Sequence, residues 1–242
     1  EVQMLDNGSL RLLHRFGDIE ENPFSNVYSS LEILETLPLE RPTEKELPGD
    51  QTPFLEVLTA RRSQRDHSTE PITRRELAAF FYRVFNPRVE FTLMGHTQEL
   101  RPYPSGGAIY EIDPWIAVNR CQDLEAGLYR YDIQAHALQR ITPSCESVSG
   151  ILTELAMAAM GNAFTCNTGL LFVGCLPQSA YKYPRIAYSL MLKNVGALMA
   201  HCYLVAASMG LAISSVGSGN SEAFAEATGL DLTMATTVLT VG

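Results

Sequence analysis

The sequence lacks the excess of basic residues that nucleic-acid binding requires. It has 18 Lys and Arg against 27 Asp and Glu, so its formal net charge is −9. Because phosphate contacts need clustered Lys and Arg, we expect no nucleic acid among its main partners. A negative net charge favours solubility and carries no information about fold.

Metal-binding and redox spacings are also missing. The cysteines form no Cys-x-x-Cys pair, and the histidines show neither His-x-x-x-His nor His-Glu-x-x-His spacing. This argues against a zinc ribbon and a thioredoxin-type motif, and we expect no metal site. The odd number of widely spaced cysteines favours free buried thiols in a reducing cytoplasm. They are Cys121, Cys145, Cys166, Cys175 and Cys202.

Targeting and membrane signals are weak. No basic-then-apolar segment opens the sequence, so we expect a cytoplasmic protein. The stretch 195–216 is apolar enough to suggest a membrane span, but Gly210 and the following Leu211-Ala212-Ile213 predict a helix that ends and a strand that begins. We interpret it as part of a buried central helix of a soluble protein, with no membrane partner.

The composition supports one main core. The chain has 242 residues, of which 46% are hydrophobic, enough for a sizeable core. Residues 1–50 are irregular and, near their end, rich in Pro and Glu, which predicts an N-terminal arm and linker, so we place the main domain at 51–242. Strand-like and helical segments mix without clean alternation, which favours an α+β fold.

Local patterns predict most of the elements of this domain. A helix after Thr52 should end near residues 61–63, and Thr73 and Glu76 have capping-box spacing for a second helix. Residues 132–136 could connect a strand hairpin. Further helices are predicted at 147–160, 184–210 and 221–228, and strands at 115–118, 128–131, 137–141, 168–175, 211–216 and 236–241.

Three guanidinium groups and a hydroxyl follow the first predicted helix. They belong to the run Arg61-Arg62-Ser63-Gln64-Arg65. Arginine binds phosphate bidentately and serine adds a donor, so this run is a candidate phosphate site. The alternative is a basic helix end that faces water.

Two glycine-containing segments are candidates for contact with a ligand. Tyr103-Pro104-Ser105-Gly106-Gly107 would let backbone approach a flat ligand closely, or would form a plain turn. Ser215-Val216-Gly217-Ser218-Gly219-Asn220 begins like a dinucleotide fingerprint, but Glu222 stands where the third glycine should be. We therefore reject a Rossmann site there. The remaining hypothesis is a glycine loop whose backbone N–H groups donate to a ligand.

The pair Lys182-Tyr183 is the candidate for proton transfer. A neighbouring ammonium favours the phenolate form of tyrosine, and burial lowers the pKa of lysine, so either side chain could act as a base. The alternative is a loop with a solvated lysine.

Together these segments resemble the nitroreductase superfamily of FMN-dependent oxidoreductases, from about Leu55 to Gly242. The resemblance implies a central mixed or antiparallel sheet flanked by helices, and a homodimer with FMN at its interface. It implies that Arg61 and Ser63 hold the FMN phosphate, with Arg62 alongside and Arg65 at the pyrimidine edge of the flavin. It further implies flavin contacts from Pro104, Ser105, Gly106, Gly107, Val216, Gly217 and Ser218, the first four commonly contributed by the other subunit.

A narrower resemblance is to the SagB-type, or McbC-like, dehydrogenases. It is carried by Tyr103–Gly107, by the Lys182-Tyr183 pair with the following Arg185 and Tyr188, and by the Gly-Leu-Tyr-Arg-Tyr-Asp run at 127–132. It implies oxidation of thiazoline or oxazoline rings to thiazoles or oxazoles, on a ribosomal peptide or a carrier-bound intermediate. A cyclodehydratase or synthetase would be the partner. Lys182 or Tyr183 would remove the ring proton, while hydride passes to the flavin.

Two alternatives remain open from the sequence. One is a nitroreductase or quinone reductase that takes hydride from NAD(P)H and needs no Lys-Tyr base. The other is a non-catalytic scaffold partner of a peptide-modifying complex. The small residues Gly196, Ala197 and Ala200 fit either close helix contact across a dimer or a buried monomeric core.

Overall fold

The computed structural model describes residues 3–4, 10–11, 28, 30–43, 52–65, 70–93, 96–158, 167–217, 220–230 and 235–241. Its helices are α1 (Phe54–Ala60), α2 (Arg74–Phe85), α3 (Glu146–Ala158), α4 (Leu176–Lys182), α5 (Ala187–Met209) and α6 (Ser221–Thr228). Its strands are β1 (Gln3–Met4), β2 (Leu10–Arg11), β3 (Glu35–Pro38), β4 (Val89–Leu93), β5 (His96–Leu100), β6 (Ile112–Val118), β7 (Gly127–Asp132), β8 (Ala137–Pro143), β9 (Thr168–Gly174), β10 (Ile213–Val216) and β11 (Ala235–Val241).

Seven strands form one sheet in the order β10-β11-β9-β6-β7-β8-β3, and every pairing in it is antiparallel. The fold is therefore α+β, as the sequence predicts. Two short pairs, β1-β2 and β4-β5, lie outside this sheet. The predicted hairpin across 132–136 is confirmed as β7-β8.

Helices cover both faces of the sheet. Successive residues of a strand point to opposite faces, and β6 places Ile116 in one hydrophobic cluster and Trp115 in the other. The first cluster includes aromatic residues of α2 and apolar residues of α5, and the second includes residues of α3 and α6. The result is a three-layer arrangement with the sheet in the middle.

Several helix ends follow the expected local rules. Thr73 caps α2 in a capping box with Glu76, whose backbone N–H donates to Thr73 Oγ1 at 3.1 Å. Gly210 and Gly229 end α5 and α6 in the left-handed conformation. A threonine before a proline is a common helix start, and Thr52 could cap α1 by this rule, but the cap position is Pro53, which makes no side-chain hydrogen bond.

The predicted N-terminal arm contributes to the main sheet. β3 pairs with β8 along four residues, from Glu35 opposite Arg140 to Pro38 opposite Ala137. The carbonyl of His136 accepts the backbone N–H of Leu39 at 2.9 Å. Part of the arm is therefore the edge strand of the core domain.

The sequence predicts a buried central helix. The long helix α5 is central, but only part of its surface is buried. Its length and composition would permit a membrane span, and 44% of its most apolar window is buried. One side contains Leu198 and Cys202, which are fully buried, whereas Leu192 is 47% exposed. Gly196 and Ala200 are exposed as well. A monomeric core therefore does not explain the small residues Gly196 and Ala200.

The cysteines that the structure describes are free thiols. Cys175 and Cys202 are buried, whereas Cys121 and Cys145 are partly buried. Cys166 lies outside the described residues.

Candidate functional site

The short helix α4 positions the Lys-Tyr pair. Lys182 is its last residue and Tyr183 its C-cap, whose backbone N–H donates to the Ser179 carbonyl at 2.8 Å. The next turn begins at once, because the Ile186 N–H donates to the Tyr183 carbonyl at 3.1 Å. From the sequence, a loop with a solvated lysine was the alternative here. The pair instead lies at a defined helix end, directly before α5.

Lys182 and Tyr183 meet the double glycine of the Tyr103–Gly107 segment. Lys182 Nζ donates to the Gly107 carbonyl at 2.8 Å. A methyl group on Gly107 would lie 2.5 Å from Tyr183 Oη and 2.9 Å from Lys182 Nζ. Gly107 also has a φ of +64°, which a side chain disfavours. The glycine therefore allows both functional groups to reach one point of the backbone.

The environment of Lys182 affects its proton affinity. Its side chain is half-buried, and this partial desolvation lowers the pKa of the amine below its ordinary value. Nζ lies 5.8 Å from the centre of the Tyr183 ring. A lysine with a lowered pKa is more readily available as a neutral base near physiological pH.

The glycine turn is held from behind by buried polar groups. The Gly106 N–H donates to Asn194 Oδ1 at 3.0 Å, and Asn194 Nδ2 donates to Glu111 Oε1 at 2.8 Å. Glu111 Oε2 in turn accepts from Ser105 Oγ at 3.3 Å. Pro104 is exposed at the start of this turn.

A second polar cluster forms around Tyr203 of α5. Its hydroxyl lies 2.9 Å from Ser63 Oγ, donates to Ser215 Oγ at 3.1 Å, and accepts from the Ser215 N–H at 2.7 Å. The Gln64 N–H donates to the Ile213 carbonyl at 2.8 Å. The segment after α1 is thereby joined to β10, which ends at Val216 before Gly217.

This cluster is basic and rich in hydroxyl groups. The Arg61 guanidinium lies 5.5 Å from the centre of the Tyr203 ring. Burial raises the pKa of Tyr203, but hydrogen bonds from Ser215 and Ser63 and the Arg61 charge outweigh it, so the net shift is downward. Such a donor set matches a phosphate or a polyol.

The other residues predicted around this cluster lie at its surface. Arg62, Arg65 and Gly217 are exposed, and Val216 is buried. Ser218 lies outside the described residues. The described residues contain no group of three or more His, Cys, Asp and Glu that could hold a metal ion.

The two clusters lie on opposite sides of α5. Asn194 supports the glycine turn and Tyr203 supports the basic cluster, nine residues further along the helix. Nine residues correspond to about 13 Å along the axis and about half a turn around it. One chain therefore assembles each half of the predicted site separately. The two halves lie on different sides of α5.

Sequence reasoning assigned no role to the polar residues that join these segments, namely Glu111, Asn194, Tyr203 and Ser215. An asparagine within a long apolar helix was a usable signal, because buried amides need partners. Tyr203 and Ser215 gave no such signal, since both occur commonly at partly exposed positions.

Comparison with known proteins identifies one family, which matches most of the chain. A family model described as "Nitroreductase family" matches residues 58–242. A candidate nitroreductase of Methanocaldococcus jannaschii is 29% identical over 180 residues, which cover 72% of this chain and 84% of that protein.

Solved structures share the fold. One is a nitroreductase-like protein from Ralstonia eutropha, with a TM-score of 0.64 and 22% identity over 86% of this chain and 88% of that one. Another is a chain of the Escherichia coli microcin synthetase McbBCD complex bound to truncated pro-MccB17, with a TM-score of 0.60 and 17% identity. The match covers 93% of this chain and 83% of that one. A third is a nitroreductase-like protein from Exiguobacterium sibiricum in complex with FMN, with a TM-score of 0.51 and 14% identity. The match covers 79% of this chain and 88% of that one. With its family model matched over more than three quarters of its length, the chain belongs to the nitroreductase family.

Proposed function

We propose that this protein is an FMN-dependent azoline dehydrogenase, which oxidises a thiazoline or oxazoline ring to a thiazole or oxazole. The observation that carries the proposal is the meeting of the Lys-Tyr pair with the glycine turn. Lys182 Nζ lies 2.8 Å from the Gly107 carbonyl, and Tyr183 Oη reaches the same glycine. A reductase that receives hydride from NAD(P)H has no need of such a base.

The role of the pair is to remove a proton from the ring carbon. Desolvation lowers the pKa of Lys182, so its neutral amine can accept the proton directly. Alternatively, the ammonium form stabilises the phenolate of Tyr183, which then accepts the proton. Both routes use the same two side chains at the same glycine.

The residues of the Tyr203 cluster fit the phosphate and ribityl parts of FMN. Arg61 and Ser63 would hold the phosphate, with Arg62 alongside. Arg65 would lie at the pyrimidine edge of the flavin, and the backbone at Val216, Gly217 and Ser218 would lie near the ring. Pro104, Ser105, Gly106 and Gly107 of the other subunit would contact the flavin ring. When bound, FMN supplies the hydride acceptor that the reaction requires, and an electron acceptor such as O2 must reoxidise the reduced flavin for turnover.

We further propose that two copies of the chain complete the site. The glycine turn and the basic cluster face opposite sides of α5, so one chain does not present both to one ligand. The exposed row Tyr188, Leu192, Gly196 and Ala200 runs along α5 towards Tyr203. A homodimer packed on this row would place the glycine turn of one subunit near the basic cluster of the other.

The McbBCD neighbour supports a peptide-modifying context. That protein is part of a synthetase complex bound to a truncated precursor, and its fold extends over 93% of this chain. We propose that the substrate here is an azoline-bearing peptide or carrier-bound intermediate, delivered by a cyclodehydratase or synthetase partner.

The purified protein and two variants test this function. We expect a yellow protein with bound FMN that removes two hydrogens from an azoline-bearing peptide, measured by mass spectrometry. Lys182→Ala and Tyr183→Phe should each reduce turnover at least ~100-fold, because general-base catalysis contributes on the order of 10²–10⁴ in rate. Both variants should keep their FMN, measured by its visible absorbance.

The matched control is Lys193→Ala, which removes an exposed lysine of α5 and should turn over like the wild type. Normal turnover by both site variants would refute the assignment of the base. Rapid bleaching of the flavin by NADPH, with no reaction on azolines, would favour a nitroreductase instead. A colourless protein that does not take up FMN would favour a scaffold role.

A further inference from the structure

Two buried polar residues connect every element of the Lys-Tyr site. Glu111 is 2% exposed and Asn194 is 6% exposed. The Asn194 amide bridges the Gly106 N–H at 3.0 Å and the Glu111 carboxylate at 2.8 Å. Burying a carboxylate and an amide costs free energy unless both are hydrogen-bonded, and here both are.

Glu111 also connects the glycine turn to the helix that bears the base. Its carboxylate accepts from Ser105 Oγ at 3.3 Å, and Ser105 Oγ accepts from the Tyr110 N–H at 3.1 Å. Its backbone carbonyl accepts from the N–H of Cys175, the N-cap of α4, at 2.9 Å. One residue thus touches both the turn and the start of α4, which ends at Lys182.

We propose that Glu111 and Asn194 are positioning residues, which hold the Gly106–Gly107 turn so that its carbonyl receives the Lys182 amine. They do not touch the reacting atoms themselves. They act through the turn, because the Gly106 N–H that Asn194 binds is one residue away from the carbonyl that Lys182 binds. This inference deepens the proposed function and rests on it.

The arrangement has a consequence for the amine. With the turn in place, Lys182 is partly desolvated, which lowers the pKa of its amine. The titratable groups nearby include the Tyr183 phenol beside it and the Glu111 carboxylate behind the turn. A turn that moves away would expose the amine to water and return its pKa towards the ordinary value. If Tyr183 is the base, a turn that moves away would weaken the contact through which the lysine ammonium stabilises the phenolate.

The variants are chosen to separate positioning from packing. Asn194→Leu and Glu111→Leu remove the hydrogen bonds at similar volume. Glu111→Gln keeps an acceptor for Asn194 and a polar partner for Ser105, so it should retain the wild-type behaviour. Leu198→Ala is the control, because it makes a cavity one helical turn from Asn194 in the same buried face of α5.

The first readout does not depend on any substrate. The sequence contains three lysines, Lys45, Lys182 and Lys193, so each amine can be followed by peptide mass spectrometry after trace acetylation at different pH. We expect the labelling midpoint of Lys182 to rise by about half a pH unit or more in Asn194→Leu and Glu111→Leu. It should not rise in Glu111→Gln or Leu198→Ala, with Lys45 and Lys193 as internal references.

The second readout is the pH profile of azoline oxidation. We expect its ascending limb to move to higher pH in Asn194→Leu and Glu111→Leu, whereas Leu198→Ala should lose stability without any shift. An unchanged Lys182 midpoint in both folded leucine variants, or an equal shift in Leu198→Ala, would overturn the positioning role. If the wild type oxidises no azoline, the proposed function fails, and the labelling experiment still decides the role of Glu111 and Asn194.

Discussion

Gly107 is the residue on which the candidate base depends most directly. Its carbonyl receives Lys182, its missing side chain leaves room for Tyr183, and its φ is +64°. A double glycine in the sequence predicted close backbone approach but not which groups would approach. The Lys-Tyr pair is 75 residues away in sequence, and no local pattern relates the two.

Replacing this glycine should affect activity more than stability. In Gly107→Ala the methyl group would displace the Tyr183 hydroxyl and the Lys182 amine, and the positive φ would cost about 1 kcal/mol. We expect at least a ~10-fold loss of azoline oxidation, measured by initial rates, since small displacements of catalytic groups are costly.

Gly210→Ala provides the matched control for this prediction. Gly210 has a φ of +71°, and nothing lies within 4 Å of a methyl group placed there. This variant should lose a similar amount of stability in thermal unfolding and keep its activity. Equal activity losses in the two variants would show that backbone strain, rather than displacement of the base, is responsible.

Among the elements, those with strong local signals could be predicted and those that depend on distant partners could not. The capping box of α2 and the glycine ends of α5 and α6 are written in a few adjacent residues. β3 is only four residues long and ends at a proline. It forms a strand by pairing with the edge of β8, which is distant in sequence. α4 contains Pro177 in its first turn and spans seven residues, too few for a clear helical period.

The attachment of β3 contains a histidine whose protonation should weaken the fold. His136 is 1% exposed, with Nδ1 2.6 Å from Tyr131 Oη and Nε2 3.2 Å from the Glu40 carbonyl. Burial lowers the pKa of His136 below its ordinary value. The unfolded chain therefore binds this proton at a higher pH than the folded chain does, so stability is lost as pH falls below about 6.5.

We expect the midpoint of thermal unfolding to fall between pH 7 and pH 5, with less decline in His136→Asn than in the wild type. One such histidine contributes a slope of at most about 1.4 kcal/mol per pH unit. The same pH series on His201→Asn provides the comparison. Desolvation also lowers the pKa of His201, but this histidine belongs to α5 rather than to the attachment of β3. Parallel pH curves for His136→Asn and the wild type would contradict the assignment.

For the whole molecule, the important feature is that the two halves of the site do not face each other within one chain. The sequence predicted both halves, but it could not show that α5 separates them by about half a turn. The exposed face of that helix is apolar near its start, with Tyr188 at 58% and Leu192 at 47% exposure. On α1, Phe54 and Leu55 are 68% and 74% exposed. Such apolar surface is typical of an interface between subunits.

A charge on this face should separate the subunits and release the flavin together. In Leu192→Glu, two copies of an unpaired carboxylate would be buried at the interface, which costs several kcal/mol. We expect sedimentation to show a dimer for the wild type and a monomer for this variant, with at least ~10-fold weaker FMN binding by fluorescence titration. Met157→Glu introduces the same charge at a 66% exposed position of α3 and should remain dimeric and yellow. A monomeric Leu192→Glu protein that binds FMN as tightly as the wild type would show that one chain suffices for the cofactor, because the shared site requires assembly and binding to fail together.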